Sequence, residues 1–171
     1  MKIVVLMEDT ASDPRFACEH GLSFYIETGD RRLLFDMGQT DLFLRNARTL
    51  GIDLAAVDTA FLSHGHYDHG GGLAAFLQVN DHAPVYVHER AFEPHFSRKP
   101  GGIRAIGLDR ALADSPRLRY TTGVTQIDEQ LTLLADIPDA VCAPQSGRVL
   151  LEQWAGTLAP DRFSHEQSLL V

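Results

Sequence analysis

The sequence predicts a single α/β domain, on three observations. Short apolar runs of strand character alternate with stretches of helical spacing; 44% of the 171 residues are hydrophobic and 22% charged; and a cluster of histidine, aspartate and glycine lies just past the end of one apolar run. A chain of this length buries one proper core and is short for two. Its composition is that of an ordinary globular domain, far from disordered or fibrous chains.

The elements follow in order. Residues 3–7 read as a buried strand and the Asp9 to Pro14 stretch as a loop. Residues 22–28 and 32–35 read as a hairpin turning at Gly29-Asp30. Asp36-Met37-Gly38 ends it, and Thr40-Asp41 then cap a helix whose Leu42, Phe43, Ala47 and Leu50 keep helical spacing until Gly51. A strand at 59–62, a loop at 63–72, a helix at 73–79 and a strand at 84–88 give the order of a layered α/β fold. Pro94, Pro100, Gly101-Gly102 and Pro116 punctuate residues 90–117, which read as a long surface excursion. Strands resume at 118–122, 131–135, 149–154 and 168–171, and Phe61, Phe76 and Trp154 sit at core-like positions.

Charge narrows the function classes. Fifteen Lys and Arg against 23 Asp and Glu leave a formal charge of -8, which repels a phosphate backbone and gives no footprint for nucleic acid or an anionic membrane. The apolar run near the N-terminus is too short for a signal peptide or a membrane span, so a cytoplasmic protein is expected. Cys18 and Cys142 lie far apart without CxxC spacing and read as buried free thiols.

The chemistry gathers at residues 63–70, Ser-His-Gly-His-Tyr-Asp-His-Gly. Side chains two apart on extended backbone point the same way, so His64 and His66 aim at one ion. Asp68 and His69 follow where the chain turns towards a helix and aim at a second ion beside it. Gly65 and Gly70 to Gly72 suit a loop that needs unusual dihedrals and no Cβ in the way. Three imidazoles and a carboxylate suit zinc, with iron, manganese and nickel open on the same ligands.

These eight residues resemble the HxHxDH motif of the metallo-β-lactamase superfamily. Glu19-His20-Gly21-Leu22-Ser23, Leu34-Phe35-Asp36-Met37-Gly38-Gln39 and Gly51-Ile52-Asp53 resemble its ribofuranosylaminobenzene phosphate synthase branch, with falling strength out to His165-Glu166-Gln167. The resemblance implies an αββα sandwich, here its N-terminal part only, as one domain over 1–171. It also implies a pair of metal ions, zinc in the first instance, with His64 and His66 on the first and Asp68 and His69 on the second. Asp68 would orient or deprotonate the attacking water, and Asp36 would fix the ligand loop from behind. It places Glu19 and His20 near the site.

The family's second half brings a further histidine, a bridging aspartate and a final histidine. The later histidines His82, His88, His95 and His165 lack that context: His88 and His95 read as surface or packing, His165 as structural, and Asp161 has less claim still. Each ion would then keep two protein ligands and bind weakly, and an uncovered sheet edge and apolar face would favour a homodimer or the missing C-terminal half as partner. Arg98 and Lys99, with Arg104 nearby, are candidate phosphate contacts on the excursion.

The expected function is a metal-dependent hydrolase or transferase that acts on a phosphoester, diphosphate or related bond of a small, phosphorylated substrate through metal-activated hydroxide. The alternatives are a catalytically silent, truncated metal-binding module, a thiolester hydrolase, and a redox di-iron centre of the flavodiiron type. The last usually replaces one of the early histidines with a carboxylate, and both are intact here.

Overall fold

A computed structural model of the chain describes residues 1–137, 149–154 and 156–171. Its central sheet takes β1 (Lys2–Met7), β2 (Ser23–Thr28) and β3 (Arg31–Phe35) as an antiparallel meander, then β4 (Thr59–Phe61), β5 (Val85–His88) and β8 (Leu118–Thr121) as parallel neighbours. Parallel pairing requires crossovers. Helix α1 (Leu42–Thr49) carries the chain from β3 to β4, and α2 (Tyr67–Gly70) with α3 (Leu73–Val79) carries it from β4 to β5. Thr40 starts α1, its hydroxyl oxygen accepting from the Leu42 N–H, while Asp41 makes no capping bond.

Two cores lie on the two faces of this sheet. On one face Leu6, Leu34, Ala60, Val85 and Val87 pack against Phe43 and Ala47 of α1 and Leu73 and Phe76 of α3. On the other face Ile26, Leu33 and Phe61 meet Leu131 and Leu133, beside and within β10 (Thr132–Ala135). With β9 (Val124–Gln126) and β13 (Gln167–Leu170), β10 forms a second, antiparallel sheet. Helix, sheet, sheet is thus the layer order among the described residues, three layers of an αββα sandwich. The first strand is a sheet edge rather than a buried strand: Leu6 and Met7 are covered, but Ile3 and Val5 stay exposed.

The excursion at 90–117 contributes two strands to a third sheet. Strand β6 (His95–Lys99) turns through Gly101 and Gly102, both at positive φ, into β7 (Gly102–Ala105). The β6 strand also pairs with β11 (Leu150–Trp154), which pairs with β12 (Thr157–Pro160). The prolines and glycines that look like loop punctuation serve a hairpin. Trp154 ends β11 exposed, its ring beneath the Arg90 guanidinium at 4.5 Å, and is no core residue. Cys18 is exposed rather than buried, and Cys142 lies outside the described residues.

No helix among the described residues is long and apolar enough to cross a membrane.

Phe61 is completely buried where both inner faces meet, so Phe61→Ala should cost about 3–5 kcal/mol in chemical denaturation. Trp154→Ala should cost no more than about 1 kcal/mol, the size of an exposed cation–π contact. Equal losses would contradict this division of core from surface.

Candidate functional site

The parallel strands β3, β4 and β5 end on one side of the central sheet, and the polar cluster stands there, as it does in other α/β sheets. Asp36 follows β3, fully buried and in the left-handed region at φ 59, which aspartate tolerates better than most residues. Its Oδ1 accepts the Ser63 N–H at 2.7 Å, and its Oδ2 accepts both the Ser63 hydroxyl and His69 Nδ1–H at 2.7 Å. Asp36 thereby ties the end of β3 to both ends of the histidine loop.

Those bonds settle tautomers, because a neutral imidazole has one donor and one acceptor nitrogen. The Ser63 hydroxyl gives its proton to Asp36, so its oxygen accepts from His64 Nδ1–H at 2.9 Å and leaves His64 Nε2 a lone pair. His66 Nε2 donates to Asp161 Oδ2 at 2.9 Å, which leaves its Nδ1 a lone pair. These two lone pairs face each other at 3.1 Å. With no proton between them they repel, whereas two nitrogens about 2.0–2.1 Å from one tetrahedral ion would stand roughly 3.3 Å apart.

His69 Nε2, freed by the bond from Nδ1 to Asp36, lies 3.8 Å from Asp68 Oδ2, and the His64 and His69 ring centroids are 4.2 Å apart. His64 therefore meets both His66 and His69, while Asp68 stands beside His69 and His20.

The glycines serve close approach rather than unusual dihedrals. None of Gly65 and Gly70 to Gly72 has positive φ, but a Cβ on Gly65 would lie 2.1 Å from the Ala91 carbonyl oxygen and one on Gly71 2.2 Å from that of Gln39.

Other expected residues fall differently. Glu19 accepts the Gln39 and Thr40 N–H groups and the Thr40 hydroxyl, so it holds the loop before α1 instead of facing the histidines. His20 is exposed, with Nε2 3.3 Å from Asp68 Oδ2 and Nδ1 3.1 Å from Asp9. Arg98 and Lys99 are exposed at the far end of β6, roughly 10–13 Å along the strand from His95, and are not brought to the site.

Three residues read as structural or peripheral are brought in. His95, Asp161 and His165 are buried against His66, and the ligand-type atoms of these four lie within 4.8 Å of one another. Gln167 does the positioning: its side chain donates to the Leu62 and Tyr86 carbonyls and accepts the Thr121 hydroxyl, and its N–H donates to the Ser63 carbonyl. Phe163, at φ 56, lays its ring beside His64 and His66 with centroids 5.8 and 5.4 Å away. The sequence marks His165 and Gln167 only through the weak resemblance at His165-Glu166-Gln167, and no local motif marks His95, Asp161 or Phe163.

Titration follows from these contacts. Burial pushes His64 well below the usual histidine value, helped by neighbouring His69 and His66, and burial pushes His165 down to about 4. Burial is the largest single influence on His69 and opposes its charge, but the bond to Asp36 and the negative charges of Asp36, Asp68 and Glu166 together outweigh it and raise that group. Burial would raise Asp161, yet bonds from His165 and His66 hold its carboxyl far below the ordinary range.

A family model described as the metallo-beta-lactamase superfamily matches residues 17–153. The chain is 34% identical over 121 residues to a 7,8-dihydropterin-6-methyl-4-(beta-D-ribofuranosyl)-aminobenzene-5'-phosphate synthase of Methanocaldococcus jannaschii, a match spanning 67% of this chain and 41% of that protein. It is 37% identical over 114 residues to an uncharacterized protein of the same organism, across 66% of this chain and 42% of that one. A crystal structure described as a metal-dependent hydrolase of the beta-lactamase superfamily aligns with 98% of this chain and 59% of its own at 31% identity, with a TM-score of 0.78. The chain thus spans about two fifths of these curated relatives and three fifths of that solved one.

In metal-free protein His165 and His64 bind protons more weakly folded than unfolded, where histidine titrates near about 6.5. The stability from keeping them neutral is present above that value and lost as pH falls from there towards about 4. His69, raised, works oppositely: its contribution is present below about 6.5 and lost as pH climbs through its raised value. The urea midpoint should therefore decline on both sides of about pH 6.5, and His165→Asn should flatten the acid limb. A midpoint unchanged between about pH 6.5 and 4 would contradict these assignments.

Proposed function

The chain belongs to the metallo-beta-lactamase superfamily, and from that premise we propose that it is a metal-dependent hydrolase or transferase acting on a phosphoester, diphosphate or related bond of a small molecule. One observation carries this reading: His64 Nε2 and His66 Nδ1, their other ring nitrogens engaged by Ser63 and Asp161, face each other at 3.1 Å, close to the separation of two ligands on one tetrahedral ion. The donor set fits a divalent ion. His64 and His66 would hold a first, and Asp68 with His69 Nε2 a second, zinc being the metal such ligands favour among iron, manganese and nickel.

Bound ions would polarise the scissile group and raise the acidity of water. The chain's own residues do the rest. Asp68, little exposed and beside His69, accepts the proton of the attacking nucleophile. His20, at the mouth of the site, gives that carboxylate a partner at 3.3 Å. Asp36 keeps His69 in the tautomer that frees Nε2, and Phe163 shuts water away from one side of the rings. A phosphorylated small molecule is supported by the name of the 34% identical relative, a synthase of a ribofuranosyl-aminobenzene 5'-phosphate.

Calorimetric titration should show zinc binding that His64→Ala or His66→Ala weakens by at least tenfold. In an assay panel of phosphodiester, diphosphate and thiolester substrates, turnover should appear on a phosphorus ester, and Asp68→Asn should lower it by about 10²–10⁴-fold. Turnover on the thiolester alone would replace the substrate class. Tight zinc with no turnover would leave a silent metal-binding module, and an inability to bind zinc would remove the reading.

A further inference from the structure

Behind His66 stand three polar residues that the proposed reaction does not use, His95, Asp161 and His165. His66, His95, Asp161 and His165 are all buried, and their spacing is that of a cation site. Hydrogen bonding assigns them otherwise. The Gly65 N–H donates to His165 Nδ1 at 2.8 Å, so that ring carries its proton on Nε2, which lies 3.3 Å from both Asp161 oxygens. A protonated nitrogen cannot ligate a metal. Asp161 is further occupied by His66 Nε2–H at 2.9 Å and by the Phe163 N–H at 2.7 Å.

His95 closes the group. Its ring lies against His165 at a centroid distance of 3.9 Å, its Nδ1 is 3.5 Å from Asp161, and neither nitrogen has a hydrogen-bond partner among the described residues.

We propose that Asp161 is a positioning residue for the metal motif: its carboxylate, anchored by His165 and the Phe163 backbone, locks His66 as the Nε2–H tautomer and so turns Nδ1 towards His64. An acceptor 95 residues downstream would then set the tautomer and aim of a ligand in the histidine loop. Carboxylates behind metal-bound histidines act in this way, and their loss typically lowers metal affinity 10–100-fold. His165 in turn orients the carboxylate, with its own tautomer fixed by the backbone of Gly65, the residue between the two proposed ligands.

This inference rests on the metal reading of His64 and His66, but its first test needs no metal. Long-range proton–nitrogen correlation spectra of the metal-free, unmodified protein report which nitrogen of each imidazole is protonated. His66 and His165 should both be Nε2–H, and His66 as Nδ1–H overturns the proposal. Asp161→Asn should then shift His66 towards a tautomer mixture and weaken zinc binding 10–100-fold. Unchanged tautomer and affinity in a folded variant would also overturn it. If that variant does not fold, the spectrum of the unmodified chain decides. Zinc failing to bind the unmodified protein would count against the metal reading and leave the tautomer result standing by itself.

Discussion

The Asp36 carboxylate, shut away from solvent and accepting from the Ser63 N–H, the Ser63 hydroxyl and His69 Nδ1, is the constraint on which the site depends. A buried carboxylate without partners costs several kcal/mol, so the fold holds these donors in place with the energy that keeps the charge tolerable. The same bonds decide where protons sit on His64 and His69. Local backbone strain at Asp36, in the left-handed region, belongs to this arrangement, since it bends the end of β3 back towards the histidine loop.

Asp161 mirrors this role on the far side of the rings. One carboxylate rises from the end of β3 and the other from the segment after β12, and the imidazoles stand between them. Gln167, the first residue of β13, joins the two sheets, bonding to Leu62 just past β4, to Tyr86 within β5 and to Thr121 at the end of β8. Sheet order thus reaches the chemistry directly: strands that end together deliver the motif, and a strand of the second sheet delivers what stands behind it.

The legible parts of the sequence were those written in local pattern. The β2–β3 hairpin at Gly29-Asp30, α1, α3 and the meeting of His64 with His66 follow from alternation, helical spacing and the two-residue repeat of extended backbone. Elements made by distant pairing were not legible. The β6–β7 hairpin is built around Gly101-Gly102, which reads equally as loop, and it is held by β11, some fifty residues later. His95, Asp161 and His165 meet only because of that pairing and of Gln167, so no spacing in the chain foretells it. Trp154 misleads for a related reason, since a large apolar side chain at a strand end can lie under an arginine as well as in a core.

The metal site turns on the facing nitrogens of His64 and His66, and anomalous scattering at the zinc edge from crystals grown with zinc locates any ion directly. The expected result is a peak about 2.0–2.1 Å from both His64 Nε2 and His66 Nδ1, with a second near Asp68 and His69. A peak on His66 Nε2 among His95, Asp161 and His165, or none beside His64, would contradict it.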